Sequence, residues 1–169
     1  MSPLRALSIA ALSVAACAQA MPLSHKHPLA PAGEQTKALP PIRGRTIDGA
    51  PLDPSATRGR VVVVKFFAKY CEPCKESLPW VEKLAVERTD VIVIGVAEDE
   101  RESQVRELAN AHGLTFPIIH DVGNALAGRF RVSDMPATFV ADPSGRIRWV
   151  GGPGQTEAEL RAAVSASFR

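Results

Sequence analysis

Two runs of β-branched and aromatic residues, separated by a helical segment, constrain the fold of this chain more than any other feature. The runs are Val61–Phe67 and Val91–Ala97, and their composition is typical of buried strands. Between them, over residues 73–88, apolar residues recur at the spacing of one helix face. Alternation of this kind predicts an α/β protein whose sheet is covered by helices on both faces.

The rest of the chain continues this alternation and adds a hairpin at each end of the folded part. An Asp48-Gly49 turn between short extended arms predicts an N-terminal β-hairpin extension. A capping box at Thr156 and Glu159 opens a last helix that is predicted to end near Phe168. Between them the patterns predict a helix at 101–112, a strand at 116–119, a brief helix at 124–130, and two antiparallel strands at 137–141 and 146–150.

Composition sets the size of the core and excludes some classes of function. The chain has 169 residues, 46% of them hydrophobic, which permits one ordinary core and no second domain. Lys plus Arg number 20 against 18 Asp plus Glu, and aromatic residues are only 5%. A balanced charge and few aromatic side chains exclude a nucleic-acid-binding surface. A single domain at residues 41–169 is therefore predicted.

The first 20 residues have the form of an export signal. Arg5 supplies a minimal positive region, residues 7–16 form a ten-residue apolar stretch, and small residues follow. A membrane-spanning helix needs about 20 apolar residues, and this run contains too many small and polar residues to form one. Residues 21–40 are rich in proline and lack apolar periodicity, which indicates a flexible tether. The protein is therefore expected to be an exported bacterial protein on the periplasmic side.

Two cleavage sites compete within this signal. Ala18-Gln19-Ala20 would release a soluble protein that starts at Met21, whereas residues 14–17 resemble a bacterial lipobox whose cysteine, Cys17, is acylated. A third interpretation makes Cys17 an incidental residue of a discarded peptide. A free thiol beside an export signal would be a pairing liability, and lipidation removes it. We therefore expect a lipid anchor, and Ala18 favours the outer membrane by resemblance to bacterial lipoproteins.

The remaining cysteines, Cys71 and Cys74, form a C-x-x-C pair that could belong to a zinc site, form a redox couple, or be accidental. Zinc needs about four ligands, and His112 and His120 lack ligand spacing to each other. Cys71 directly follows a strand and opens a helix, where backbone N–H groups and the helix dipole stabilise a thiolate. Cys74 lies one turn further on. The position therefore favours a redox couple without a metal.

The segment that carries this pair resembles a known family. Phe66-Phe-Ala-Lys-Tyr-Cys-Glu-Pro-Cys-Lys-Glu-Ser-Leu-Pro79 is similar to the active-site segment of thioredoxin-like proteins. It is most similar to exported TlpA/ResA-type thiol–disulfide oxidoreductases of the redoxin (AhpC/TSA) superfamily. Gly59-Arg60, residues 132–140 and residues 142–145 resemble further segments of that group, in the same order. The resemblance implies a thioredoxin-like fold, with a central mixed β-sheet flanked by helices.

The same resemblance implies roles for individual residues. Cys71 is expected to be the nucleophile and Cys74 the resolving cysteine of a redox-active disulfide that needs no other cofactor. Met135–Pro136 is expected to be a cis peptide opposite them, with the Met135 backbone free to pair with a substrate segment. The expected partners are protein thiols and disulfides together with an upstream redox donor. We expect a monomer that acts as a reductant.

Several residues depart from the family pattern. Lys65 occupies the position, six residues before Cys71, where thioredoxin carries a buried acid. Ser77 stands where cytochrome-maturation members commonly carry Glu, and Glu76 is about 100° away on the helix. Tyr70 replaces the usual Trp before the first cysteine. These departures leave exchange chemistry possible but weaken a specific assignment to apocytochrome reduction.

Charges around the pair act in opposite directions. Glu72, which precedes Pro73 between the cysteines, disfavours the Cys71 thiolate, whereas Lys69 and Lys75 favour it. Because the reduction potential depends on this balance, the sequence leaves the direction of exchange open.

Lys65 has two interpretations. Its stem could pack in the core while its head snorkels to a carboxylate or water, with no part in the chemistry. Alternatively, its cation stabilises a thiolate, or its neutral amine accepts a proton from the resolving thiol.

Two other functions are alternatives to disulfide exchange. Peroxiredoxins share this architecture and resemble one another in a Pro-x-x-x-Thr-x-x-Cys segment, but here Val64 and Ala68 occupy the Pro and Thr positions. A copper chaperone would hold the metal between the cysteines and a histidine, for which His120 is a poor candidate beside a strand end. Both alternatives are weaker than exchange.

Overall fold

The computed structural model describes residues 37–169, which form one mixed sheet, a small hairpin and four helices. The signal, Cys17 and the tether up to residue 36 lie outside the described residues. The strands are β1 (Gly44–Arg45), β2 (Pro51–Leu52), β3 (Val61–Phe67), β4 (Val91–Ala97), β5 (Ile118–His120), β6 (Ala137–Ala141) and β7 (Ile147–Gly151). The helices are α1 (Glu72–Glu87), α2 (Glu102–Ala111), α3 (Ala125–Phe130) and α4 (Glu157–Ala166), and a 3-10 turn spans Pro54–Thr57.

The main sheet has five strands in the order β5-β4-β3-β6-β7, so β3 is central. It runs parallel to β4 and antiparallel to β6, and β7 completes the predicted antiparallel pair. Because β3, β4 and β5 are parallel, the loops that follow them leave the sheet at the same edge. The predicted α/β class and mixed sheet are confirmed.

Helices cover both faces of the sheet because the buried side chains of β3 alternate between two cores. Val61, Val63 and Phe67 belong to one core cluster, which also contains residues of α1, α2 and α4. Val62, Val64 and Phe66 belong to a second cluster, which contains residues of α3. All seven residues of β3 are buried, Lys65 included. The strand therefore has no solvent face, as its composition predicts.

The N-terminal hairpin forms as predicted, and the folded part starts slightly earlier than expected. β1 and β2 pair antiparallel around the Asp48-Gly49 turn, where Gly49 adopts a φ of 84°. Upstream of it, Ala38 bridges Arg146, and the Leu39 N–H donates to the Gly145 carbonyl at 2.7 Å. These contacts place residues 37–39 against the domain, whereas the sequence placed its boundary at 41.

Element boundaries differ from the expectations by at most two residues. β5 begins at Ile118 rather than at 116 because Pro117 has no N–H to give the sheet, although its carbonyl accepts from Gly95 at 2.8 Å. The predicted capping box at Thr156 is present, but α4 ends at Ala166. Within residues 37–169, no helix is long and apolar enough to cross a membrane.

Candidate redox site

The chain places the C-x-x-C pair where β3 ends and α1 begins. Cys71 is the N-cap residue of α1, and its Sγ accepts a hydrogen bond from the Cys74 N–H at 3.2 Å. The two cysteines form a disulfide, with their Cα atoms 5.2 Å apart. A backbone N–H aimed at Sγ, together with the dipole of a 16-residue helix, stabilises a thiolate at Cys71 when the disulfide is reduced.

The two sulfur-bearing residues differ in exposure. Cys71 is 8% exposed, whereas Cys74 is 0% exposed and lies within the core. A partner's sulfur must approach from solvent, so only Cys71 offers it a path. The exposure therefore agrees with the predicted roles of Cys71 as nucleophile and Cys74 as resolving cysteine, which stay predictions.

Glu72 and Pro73 lie on the first turn of α1, between the cysteines. Glu72 is exposed, and its carboxylate pairs with Lys75 Nζ at 2.6 Å. Because the Lys75 ammonium lies beside it, the Glu72 carboxylate acts on the sulfurs together with an opposite charge. Pro73 is at a position that has no helical N–H bond to lose, so it is accommodated without disruption. Glu76 is exposed, in keeping with its predicted turn away from the sulfurs.

Polar groups from the neighbouring strands anchor the loop that leads into Cys71. Asp99, buried just beyond β4, accepts a hydrogen bond from the Lys69 N–H at 2.9 Å. The His120 Nε2 lies 2.6 Å from the Asp99 carbonyl oxygen. Sequence analysis did not identify Asp99, although its place directly after a parallel strand at the edge that carries Cys71 was a usable signal. The contact of His120 with Asp99 ties its ring to this loop.

A half-buried carboxyl group, Glu98, lies beside Asp99 and was also missed. Burial raises its pKa, and the nearby Asp121 carboxylate raises it further. The pKa of exposed Tyr70, next to Cys71, is raised as well, first by burial and then by Glu98 and Asp99. Tyr70 therefore stays protonated at neutral pH and borders the disulfide as a neutral aromatic side chain.

The predicted Met135–Pro136 segment reaches the same edge of the sheet. The peptide between the two residues is cis, as the resemblance implied. The register pairs Ala137 with Phe66, so Pro136 enters β6 where β3 leaves the sheet for Cys71. Met135 is partly buried and packs against the core cluster that contains both cysteines. The fold therefore brings this segment and the disulfide together.

Lys65 is fully buried beneath the site. Its Nζ donates to Ser77 Oγ at 2.9 Å and to Thr138 Oγ1 at 3.2 Å. The expectation that the head snorkels to a carboxylate or water is wrong, because the side chain is 0% exposed and both partners are hydroxyls. Burial lowers the pKa of Lys65 to about 7. An amine that titrates near neutral pH therefore lies below the redox pair.

The described residues offer no separate metal centre. Within residues 37–169, no group of three or more His, Cys, Asp and Glu side chains is placed to hold a metal ion.

Comparison with known proteins identifies the family. The sequence profile of the AhpC/TSA family matches residues 36–150, more than half of the chain. The chain belongs to this family.

Individual relatives are thiol-disulfide oxidoreductases or thioredoxin-like proteins by name. The thiol-disulfide oxidoreductase ResA of Halalkalibacterium halodurans is 32% identical over 133 residues, which cover 76% of this chain and 73% of that protein. The thioredoxin-like protein YneN of Bacillus subtilis is 28% identical over 131 residues, covering 75% and 76% respectively. ResA of Oceanobacillus iheyensis, 29% identical, is matched over 60% of this chain and 54% of its own length.

Solved structures agree on the fold. MTB dsbF, solved in mixed oxidized and reduced forms, is 26% identical, with a TM-score of 0.71 over 76% of this chain and 96% of that one. A secreted Mycobacterium tuberculosis disulfide oxidoreductase gives a TM-score of 0.69 at 23% identity, over 75% and 96%. The expected thioredoxin-like fold and ResA-type kinship are confirmed. The chain is an oxidoreductase of the thioredoxin-like group.

Proposed function

We propose that this member of the AhpC/TSA family exchanges disulfides with protein thiols outside the cytoplasm, through Cys71 and Cys74, as a reductant. The observation that carries the proposal is the N-cap position of Cys71, whose Sγ receives the Cys74 N–H while Cys74 itself is buried. This arrangement provides an accessible thiolate and a protected second thiol, the two groups that exchange needs. The names of the curated relatives, thiol-disulfide oxidoreductases, support the same chemistry.

The proposed cycle starts from the reduced pair. The Cys71 thiolate attacks one sulfur of a partner's disulfide, forms a mixed disulfide, and releases the partner's other sulfur as a thiolate that takes up a proton. Cys74 then loses its proton and attacks Cys71 Sγ, which frees the partner's second thiol and closes the Cys71–Cys74 disulfide. Two electrons pass to the partner. A dithiol donor of the upstream redox chain returns them, so the cycle needs no further cofactor.

Met135 and Pro136 are proposed to guide the partner to Cys71. Pro136 enters β6 at the edge where β3 leads to Cys71, and Met135 packs against the cluster that contains the cysteines. An extended segment of the partner could pair with the Met135 backbone and place its disulfide over Cys71 Sγ. The partner's main chain would then be recognised rather than its side chains, which suits a protein with several substrates.

The proposal is tested by measuring the activity and the reduction potential of the wild-type protein. We expect the chain to catalyse reduction of insulin by dithiothreitol, because Cys71 is the more accessible of the two cysteines and its Sγ accepts a backbone N–H at the start of a helix. We expect the Cys71–Cys74 couple, equilibrated with glutathione buffers, to have a potential below that of the glutathione couple, as a reductant requires.

A potential above that of glutathione would contradict the reductant role and indicate an oxidant or isomerase. Rapid turnover of hydrogen peroxide without any disulfide partner, combined with no insulin reduction, would contradict exchange itself and favour the peroxidase alternative. In that case peroxide would have to bind without the Thr hydroxyl of the peroxiredoxin segment, because the buried Ala68 stands at that position, three residues before Cys71.

We also propose that Cys17 anchors the protein to the membrane through a lipid, with the outer membrane as its destination. The lipobox-like residues 14–17 and Ala18 support this proposal. Cys17→Ala is expected to move the protein from the membrane fraction to the soluble fraction, or to block its processing. Gln19→Ala, two residues beyond the cysteine, is the matched control and should leave the fractionation unchanged. A wild-type N-terminus at Met21, found by mass spectrometry, would establish the soluble form.

A further inference from the structure

A buried lysine without a carboxylate partner lies under the redox pair. The side chain of Lys65 is 0% exposed, and its two hydrogen-bond partners are the hydroxyl groups of Ser77 and Thr138. These hydroxyls come from the two segments that build the site. Ser77 is three residues after Cys74, and Thr138 is two residues after Pro136. Lys65 therefore connects the C-x-x-C helix to the strand that follows Pro136.

The hydrogen-bond count around Lys65 fits a neutral amine. A neutral amine has two hydrogens and one lone pair, whereas an ammonium has three hydrogens to satisfy. Lys65 Nζ has two acceptors among the described residues, Ser77 Oγ and Thr138 Oγ1. The Ser77 hydroxyl in turn donates to the Cys74 carbonyl at 2.9 Å. With the disulfide closed, the two N–H bonds of the amine are used and its lone pair is available for a proton.

Among the residues that the structure describes, the groups paired with Lys65 across the sheet and from α1 carry no charge. On the same face of the sheet its register partners are Gly95 in β4 and Thr138 in β6, and neither can ionise. From α1 the packed polar groups are Ser77 and the two cysteines, which share one core cluster with the strand. Burial is the cause that lowers the pKa of Lys65 to about 7. Through Ser77, three residues after Cys74 on the same helix, the amine lies on the face of the sheet that carries the two cysteines, and we infer that a thiolate there is the charge that changes its protonation.

We propose that Lys65 holds one of the two protons that accompany reduction of the Cys71–Cys74 disulfide, and so acts as the proton acceptor of the redox pair. The inference rests on the proposed use of the two cysteines as a redox couple. In the reduced pair one sulfur remains a thiolate, the other carries a proton, and the ammonium of Lys65 balances the thiolate charge.

The step balances. Two electrons from a donor dithiol break the S–S bond, and two protons enter. One proton binds a cysteine sulfur and the second binds the lone pair of Lys65 Nζ, leaving the other cysteine as a thiolate. On reoxidation the thiolate attacks the partner's disulfide, and Lys65 and the second thiol release their protons as the Cys71–Cys74 bond closes. Because the site is buried, an ammonium beside a thiolate is far less costly there than either charge alone.

The experiment measures how many protons the wild-type protein takes up per disulfide reduced by dithiothreitol, from the pH dependence of the equilibrium. In oxidised protein Lys65 is already protonated below its pKa of about 7, so reduction adds one proton there. Above that pH the amine starts neutral, and reduction adds two. We therefore expect proton uptake to rise from about one to about two between about pH 6 and about pH 8.

Lys65→Met keeps the length and apolar fit of the side chain but removes the amine. Without the ammonium the thiolate pKa should rise by about one unit or more, which raises the ratio of thiol to thiolate at a given pH about tenfold or more. Proton uptake should then start at about two and fall towards one as pH rises, opposite to the wild type. Lys83→Met, an exposed position of α1 that pairs with Glu157, is the matched control and should follow the wild type.

A wild-type measurement covers the case in which Lys65→Met does not fold. In protein labelled with 13C-lysine, the Cε resonance of Lys65 should titrate near pH 7 when oxidised and at clearly higher pH when reduced. Equal titration in both states, or a Lys65→Met proton count identical to wild type, would overturn the proposal. Failure of dithiothreitol to reduce the pair at all would instead overturn the proposed function, so the two failures are distinct.

Discussion

Cys71→Ser is expected to reduce insulin reduction to the uncatalysed rate, whereas Cys74→Ser should accumulate mixed disulfides with its partner. The reason is geometric, since Cys71 is the N-cap residue of α1 with a backbone N–H on its Sγ and the only partial exposure of the pair. Removing it removes the attacking thiolate. Removing the buried Cys74 leaves the attack intact but takes away the thiol that resolves the intermediate. The turbidity of insulin and non-reducing gel electrophoresis report the two outcomes separately.

The matched control is Glu76→Gln, which changes an exposed side chain on the same helix and leaves both sulfurs in place. It should neither abolish attack nor trap partners. All variants carry Cys17→Ala, so that the third thiol of the chain forms no disulfide of its own. If mixed disulfides accumulate in Cys71→Ser and not in Cys74→Ser, the roles of the two cysteines are reversed. If both variants retain full activity, the chain does not act through this pair.

Local sequence patterns were sufficient to place the strands and helices along the chain. The β-branched runs were predicted to be β3 and β4, and the structure gives the same residues, Val61–Phe67 and Val91–Ala97. Such runs are informative because strands buried on both faces leave no room for polar alternation. The cysteine positions were likewise readable, since a pair at a strand-to-helix junction is defined by residues close in sequence. What is local in the chain was therefore predicted well.

What the sequence left open depends on distant contacts. Lys65 meets Ser77 across 12 residues and Thr138 across 73, so its partners follow only from the packing of α1 and the register of β6. The Asp99 carboxylate reaches the Lys69 N–H over 30 residues for the same reason. A hydrophobic pattern identifies which face of the strand a residue occupies, but not which side chains of other elements it contacts there. The sequence therefore suggested that the Lys65 head reaches a carboxylate or water, whereas in the structure it is buried and bonded to two hydroxyl groups.

The two faces of the sheet divide the molecule into a redox face and a structural face. Lys65 and the cysteines share the first with α1, whereas Phe66, one residue further along β3, points to the second. Because neighbouring residues of a strand face opposite ways, a change on the structural face can alter stability while leaving the sulfur chemistry in place. Testing one residue from each face separates the two contributions.

Phe66→Ala is the test on the structural face, and it is expected to lower the free energy of unfolding by about 3–5 kcal/mol. The Phe66 ring is 0% exposed and lies 5.1 Å from the Phe130 ring and 5.7 Å from the Phe139 ring, centroid to centroid. Truncation removes both aromatic contacts and leaves a cavity between β3, β6 and α3 that rigid neighbours cannot fill. Urea denaturation followed by circular dichroism measures the loss.

Phe66→Leu is the matched control, because it keeps an apolar side chain in the same space and should lose clearly less stability than Phe66→Ala. The folded fraction of Phe66→Ala should still show the wild-type reduction potential, since its side chain faces away from the cysteines and Lys65. A shift of that potential would mean that the aromatic cluster positions the redox pair through β3. An unfolding free energy equal to wild type would contradict this expectation. It would mean that the neighbouring side chains relax into the space of the missing ring, so that the Phe66 ring contacts contribute little to stability.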